Sequence, residues 1–438
     1  MKYNHLIGKK VSIKKKEVTY TGIVVPSSIF LDENTITLKM GNGYNIGITV
    51  EDESLITVLS DNNKSELNKE LENNEGNPEI SLVTTGGTIA SSVDYITGAV
   101  KPLVKGSELL SLFSELSDFK NVEIVSAFNI LSENITYEHW ETLSKTCYDL
   151  LKKGRKGIIV LHGTDTLSYS SSILSFVIQN PISPIVFVGA QRSIDRPSSD
   201  GRLNVFAAMS MVNYLPRREV LVAMHAGIDD NAIALHKGNK VRKMHSSRRD
   251  AFHTINGLPY GYMSLYDKET DFKNYMANYH YSPKIVGIEF EKKQAGKFTS
   301  WLRKSTEKKE MGFYPKFEKK VSMTWFYPGM EVEDLEYLKS KKGVVLIGTG
   351  LGHVNEKIVK FVKELVKSGV YVVISSQTIN GRINMNVYET GRELIKAGAF
   401  SADIMPPEVA YTKLMWVLKN AEDVPSMFKK DISGELSY

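Results

Sequence analysis

The stretch Gly157-Ile158-Ile159-Val160-Leu161-His162-Gly163-Thr164-Asp165-Thr166 decides the fold. Its first half has no polar residue to offer to solvent, so it reads as a strand buried on both faces, the kind found in parallel sheets. The turn that follows holds two threonine hydroxyls and a carboxylate at the carboxyl end of that strand, where open α/β sheets build their ligand sites. A string of the same design precedes it, where Ile80-Ser81-Leu82-Val83 runs into Thr84-Thr85-Gly86-Gly87-Thr88-Ile89-Ala90. A threonine hydroxyl is a poor nucleophile until a nearby base takes its proton, so hydroxyls, an acid and a lysine form a candidate set for covalent catalysis. Lys243, in Val241-Arg242-Lys243, is the candidate lysine.

Outward from these turns, apolar runs alternate with helical patterns, the signature of a doubly wound parallel sheet. Strands are expected at 80–83, 122–125, 157–161, 185–188 and 220–224, with helices at 137–151 and 203–212. A second α/β set is expected from about Ile285, with strands at 321–325, 344–347 and 370–375 and helices at 356–367, 389–397 and 406–418. Residues 8–59 follow period two instead, with Val11 and Ile13, then Ile36, Leu38 and Met40, then Tyr44, Ile46 and Ile48, which reads as a small β-barrel module of SH3-like type. Residues 61–77 are almost wholly polar and read as a tether. The expected organisation is therefore a β-module at 1–60, a linker at 61–78, an α/β domain with the active site at 79–280 and a second α/β domain at 281–438, with the boundary in the polar segment 266–281.

The chain has 438 residues, 42% of them hydrophobic and 24% charged, ordinary values for a globular protein of two or three domains. Fifty-five basic against 50 acidic residues leave a formal +5, too mild a bias to mark a nucleic-acid-binding chain, and the basic clusters at 9–16 and 242–249 read as solvated faces. A single cysteine, Cys147, excludes a disulfide framework and a cysteine-rich metal site, and points to a reducing compartment, the cytoplasm. No apolar run is long enough to span a bilayer, so no membrane role is expected. His162 and His225 follow strands but belong to no cluster of ligand residues, and no metal is expected. The run Gly348-Thr349-Gly350-Leu351-Gly352-His353 lacks the Lys-Ser/Thr ending of a phosphate loop, and His353 reads as a capping or packing residue.

Three strings together, Thr85-Gly86-Gly87-Thr88-Ile89-Ala90, His162-Gly163-Thr164-Asp165-Thr166 and Val188-Gly189-Ala190-Gln191-Arg192, resemble the signature blocks of bacterial-type L-asparaginases and glutaminase-asparaginases. The resemblance runs from about Ile80 to the C-terminus and implies an asparaginase-like, two-domain parallel-sheet body with a threonine nucleophile. It assigns Thr88 as the first catalytic threonine, Thr164 as the second, Asp165 as the acid beside it and Lys243 as the lysine of the proton relay. It also implies substrate-binding roles for Gly87, Ser132, Glu133, Gly163 and Ala190, and for Tyr95 as a mobile-loop tyrosine. Glu133 stands where strict asparaginases carry glutamine, and so resembles the members that also accept glutamine.

With the β-module, the string Asn42-Gly43-Tyr44-Asn45-Ile46-Gly47-Ile48 and the string His245-Ser246-Ser247-Arg248-Arg249-Asp250-Ala251-Phe252, the whole chain resembles the D-subunit family of archaeal glutamyl-tRNA(Gln) amidotransferases. That resemblance implies a subunit that hydrolyses glutamine to ammonia, holds no cofactor of its own, and works as a homodimer within a heterotetramer. The partner it implies is an E subunit that binds Glu-tRNA(Gln) and uses ATP and Mg. Arg248 and Arg249, a few residues beyond Lys243, form a basic loop suited to sensing that partner. Two other readings stay open, a stand-alone L-asparaginase/glutaminase and a catalytically silent scaffold that binds RNA or protein.

Overall fold

In the computed structural model the described residues are 3–25, 32, 34–40, 45–60, 78–87, 89, 91–93, 100–102, 122–194, 198–212, 215, 219–264, 287–288 and 310–437. Thr88, Tyr95, the tether at 61–77 and the expected boundary at 266–281 lie outside them.

The first module is a five-stranded antiparallel sheet of β1 (Lys10–Lys15), β2 (Val18–Val25), β3 (Thr35–Met40), β4 (Asn45–Thr49) and β5 (Ile56–Ser60), in the order β4-β3-β2-β1-β5. Its core holds Val11, Ile13, Val24, Ile36, Leu38 and Ile48, every second residue of their strands, as a one-sided sheet requires. Lys10, Lys14 and Lys15 of β1 face solvent, the ordinary fate of such a run. This arrangement is compatible with a small barrel.

The body begins with β6 (Ile80–Gly86), then the paired short strands β7 (Ser91–Val93) and β8 (Val100–Pro102), and β9 (Val122–Ile130). Helix α1 (Tyr137–Lys152) leads to β10 (Gly157–Leu161), and α2 (Leu167–Val177) through β11 (Ile178–Gln179) to β12 (Ile185–Val188). Helix α3 (Gly201–Val212) then leads to β13 (Val220–His225), followed by β14 (Ala232–Lys237), β15 (Val241–Lys243), β16 (Phe252–Thr254), β17 (Gly261–Ser264) and β18 (Gly287–Ile288). The central sheet has eight strands in the order β18-β17-β14-β13-β12-β10-β6-β9. The run β9-β6-β10-β12-β13 is parallel throughout, and its chain order reverses between β6 and β10. The crevice beyond their carboxyl ends is the topological switch point at which such sheets bind ligands.

Alternate residues of β10 and β12 serve the two faces. Ile158, Val160, Ile185 and Phe187 pack with α1 and α2, whereas Ile159, Leu161, Val186 and Val188 pack with α3. Two antiparallel strands, β14 and β17, extend this sheet beyond its parallel part. Gly287–Ile288 pairs with β17 and so joins the central sheet rather than opening the second α/β set.

After β19 (Gly312–Phe313), which pairs with β11, a second parallel sheet runs β20 (Val321–Trp325), β21 (Gly343–Gly348), β22 (Tyr371–Ser376) and β23 (Phe400–Ser401). Helices α4 (Glu356–Lys367), α5 (Glu389–Lys396), α6 (Pro407–Asn420) and α7 (Val424–Phe428) accompany it. Helix α6 faces α2: Ser172 and Thr412 share a hydrogen bond of 2.7 Å, and one apolar cluster runs through both sheets. Among the described residues no helix is long and apolar enough to cross a membrane.

Candidate active site

The turns after β6 and β10 meet at their glycines. A Cβ on Gly87, whose φ is +78°, would lie 2.5 Å from the Gly163 Cα, and a Cβ on Gly163 would lie 2.6 Å from the Ser132 Cβ. Only glycine allows this approach, because any side chain would drive the two strand ends apart. The Gly87 N–H donates to the Ile130 carbonyl at 3.1 Å, so it is committed to structure rather than free to bind an oxyanion. Thr85 adds a cross-strand tie, its hydroxyl donating to the Leu161 carbonyl at 3.0 Å. The switch-point crevice is therefore closed at its base by backbone against backbone.

On this base stand Thr164, buried at 6% exposure, and Asp165, whose side chain is 67% exposed. The lysine comes from β15, which pairs with β16 as a hairpin lying outside the central sheet. Lys243 Nζ donates to Thr164 Oγ1 at 2.8 Å and to Asp165 Oδ1 at 2.7 Å, and its side chain is 14% exposed. One ammonium thus bridges a hydroxyl and a carboxylate that are adjacent in the chain. The lysine itself comes from a separate element 78 residues beyond the acid.

Ser132 is buried against Gly163 at the start of a short 3₁₀ turn, Ser132–Asn134, and its carbonyl accepts from the Thr166 hydroxyl at 2.9 Å. Glu133 follows in the same turn with its side chain exposed. The turn after β12 reaches the cluster through Gly189, where a Cβ would lie 2.7 Å from Thr164 Cγ2. Ala190 is buried beside it, and the next two N–H groups, of Gln191 and Arg192, donate to the Asp200 carboxylate. Of the residues expected at the site, Gly87, Ser132, Gly163, Thr164, Asp165 and Lys243 are brought together, Glu133 follows Ser132 with its side chain exposed, Ala190 lies one residue from the contact with Thr164, and Thr88 and Tyr95 fall outside the described residues.

The histidines near the site have structural partners. His162 is fully buried, with Nδ1 donating to the Gly163 carbonyl at 2.7 Å, and burial pushes its pKa down to about 4. His225 lies between Asn204 and Asp230. Among the described residues no group of three or more His, Cys, Asp or Glu could hold a metal ion. His353 packs edge-on against Tyr388 with ring centroids 5.0 Å apart, and its Nδ1 lies 3.3 Å from the Thr390 hydroxyl. The arginines beyond Lys243 pair within the chain, Arg248 with Asp250 and Arg249 with Asp230 at 2.5 Å.

One neighbour of the cluster has no counterpart among the residues expected from sequence. Arg242, next to Lys243, pairs with Glu408 of α6 at 3.2 Å and faces the Trp325 ring. Burial raises the Glu408 pKa, and Arg242 opposes it. The pair joins the lysine strand to the second α/β unit. No local pattern signals a contact between residues so far apart in the chain.

Comparison with known proteins identifies the family. The chain matches the asparaginase N-terminal domain family over residues 79–276, the glutaminase/asparaginase C-terminal domain family over 320–428 and the GatD N-terminal domain family over 6–59. The L-asparaginase of Thermococcus kodakarensis superposes with a TM-score of 0.66 at 26% identity, covering 82% of this chain and 99% of that one. The D subunit of the glutamyl-tRNA(Gln) amidotransferase of Pyrococcus abyssi is 39% identical, over 98% of this chain and 95% of the relative. Its counterpart in Methanococcus maripaludis is 38% identical over 98% of each chain. Coverage of the β-module as well as the body separates these relatives from the shorter asparaginases, and the chain belongs to the family of glutamyl-tRNA(Gln) amidotransferase D subunits, built on the asparaginase fold.

Proposed function

We propose that this chain hydrolyses the side-chain amide of glutamine and supplies the ammonia to a partner subunit that amidates glutamate carried on tRNA(Gln). The observation that carries the chemistry is the bridging Lys243, held at 2.8 Å from Thr164 and 2.7 Å from Asp165 at the switch point of the sheet. In this reading Thr88 Oγ attacks the amide carbonyl, the C–N bond breaks and the nitrogen leaves with a proton as ammonia. Water then cleaves the threonyl ester to release glutamate and restore the hydroxyl. The role of Thr88 rests on the family resemblance. Thr164, Asp165 and Lys243 move the protons: once Nζ has passed a proton on it can take one from the Thr164 hydroxyl, and the Asp165 carboxylate stabilises the ammonium that bridges the two.

Glu133, exposed beside the buried Ser132, offers a charge-assisted partner for the substrate's α-ammonium. Gly87, Gly163, Ala190 and Tyr95 complete the substrate pocket in this reading. The β-module is the docking element for the tRNA-binding E subunit, which supplies ATP and Mg chemistry, in a cytoplasmic assembly with this chain as its homodimeric centre. A stand-alone asparaginase/glutaminase is the second reading, favoured by the superposition of the body on a free-standing asparaginase.

Ammonia release from glutamine and from asparagine, measured with the chain alone, with its partner, and with partner, Glu-tRNA(Gln) and ATP, decides between them. Release from glutamine that rises when the acceptor is present supports the amidotransferase reading. Equal rates in all three conditions support a free amidohydrolase, and no release in any of them supports a scaffold.

A further inference from the structure

A buried polar chain runs from the protein surface to the threonine of the candidate site. At its outer end Arg249 Nη1 donates to Asp230 Oδ1 at 2.5 Å. The same oxygen accepts from His225 Nε2 at 3.1 Å, and His225 Nδ1 lies 2.7 Å from Asn204 Oδ1. Asn204 Nδ2 then donates to the Gly189 carbonyl at 3.1 Å and lies 3.4 Å from Asp200, the carboxylate that holds the N–H groups of Gln191 and Arg192. His225, Asn204 and Asp200 are all fully buried. The last link is steric, because the Gly189 backbone lies against Thr164 so closely that a Cβ there would meet Thr164 Cγ2 at 2.7 Å.

Three polar side chains inside an apolar sheet–helix layer cost desolvation that aliphatic residues would not. They are arranged end to end, and each link fixes the next. Both ring nitrogens of His225 face oxygen acceptors, an arrangement that suits the protonated ring. Burial presses that ring toward its neutral form, Asp230 and Asp200 oppose this, and Arg249 reinforces it.

We propose that Asn204, His225, Asp230 and Arg249 are positioning residues that hold the turn after β12 against Thr164 and so fix the hydroxyl in line with Lys243. The inference rests on the reading of Thr164 as catalytic. Thr164 is β-branched and therefore stiff at χ1, so the position of the Gly189 backbone selects its rotamer. The hydrogen bond of 2.8 Å from Lys243 is made in the rotamer so selected. Displacements of an ångström at such a site suffice to slow chemistry.

The test uses the two outer ends of the relay, Arg249→Gln and Asp230→Asn, in the full-length protein, because their side chains are 21% and 64% exposed and neither lies in the core, although Arg249 also donates to the Ser198 carbonyl. Each variant should lower kcat for glutamine hydrolysis by roughly 3- to 20-fold with KM within about twofold and an unchanged melting temperature. The double variant should be no slower than the slower single one, and Arg249→Lys, which still reaches Asp230, should recover part of the loss.

A second readout needs no activity. Met224 Sδ lies 3.3 Å from the Gly189 N–H and 3.6 Å from Asn204 Nδ2, so its ¹³C-methyl resonance should shift in both single variants. Wild-type kcat in both variants, an effect on KM alone, or an unmoved Met224 methyl overturns the relay. Should the wild-type protein release no ammonia from glutamine, the proposed activity fails, and the Met224 methyl alone decides the relay.

Discussion

Lys243 meets Asp165 at 2.7 Å and Lys413 meets Glu435 at 2.5 Å, two lysine–carboxylate pairs of nearly equal length in very different surroundings. The Lys413 pair is completely buried, and its remaining valences are filled: Lys413 Nζ donates to the Lys430 carbonyl at 2.7 Å, and Glu435 accepts the N–H groups of Ile432 and Ser433. It pins the C-terminal segment onto α6 and leaves no room for a substrate. At the other pair the acid is two-thirds exposed, and the lysine divides its hydrogen bonds between that acid and a hydroxyl. The same two chemical groups make a staple where water is excluded and, in the proposed chemistry, a proton relay where one side stays open. Removing one partner should therefore cost stability in the first case and rate in the second.

The largest effect is expected at the open pair. Lys243→Met should reduce ammonia release from glutamine by roughly 10²- to 10⁴-fold, the range general acid–base groups supply, while the melting temperature stays at the wild-type value. A folded, active Lys243→Met protein would erase the contrast.

Next comes the staple. Lys413→Met leaves a buried, unpaired carboxylate and should cost about 3–5 kcal/mol in urea unfolding, with kcat per folded molecule preserved. Adding Glu435→Leu should return part of that loss. It should not return all of it, because Glu435 also caps the N–H groups of Ile432 and Ser433.

His162 sharpens the comparison, since it adjoins the site yet is buried like the staple. Its folded-state pKa of about 4 lies below the unfolded value near 6.5, so the unfolded chain binds the proton first. Its contribution is fully present above pH ~6.5 and is lost as pH falls toward ~4, about 3 kcal/mol in all. Unfolding free energies at pH 7 and 4.5 should show this loss, and His162→Asn should show a smaller one. An identical acid loss in that variant would place the titrating groups elsewhere.

The smallest effect is steric. A Cβ on Gly163 would stand 2.6 Å from the Ser132 Cβ, so Gly163→Ala should cost about 1–3 kcal/mol and raise KM for glutamine by displacing the Ser132–Asn134 turn. Unchanged stability and KM would show that the two turns are looser than their contact distances indicate.

The features legible in the sequence are those that local patterns encode. Strands β10 and β12 are unbroken apolar runs because both faces are covered, and the helix Glu356–Lys367 carries a strong apolar stripe, so their ends can be read residue by residue. The Gly-Gly and Gly-Thr-Asp turns can be placed because they follow such runs directly. The antiparallel extension by β14 and β17 is not legible, since a short buried strand leaves the same signal whichever way it pairs. The staple between Lys413 and Glu435, the Arg242–Glu408 pair and the relay from Arg249 to Gly189 join distant segments. Each is made of charged or polar residues that in sequence look like solvated surface.

The proposed chemistry stands on Thr164 and Lys243 acting as one unit, and a double-mutant comparison of glutamine hydrolysis tests that most directly. Thr164→Val keeps the shape and removes the hydroxyl, and Lys243→Met removes the base. Each single change should abolish most of the activity, and the double variant should be no slower than the slower single one, because the second change finds the unit already broken. Losses that multiply, or near-normal turnover in either folded single variant, would contradict it.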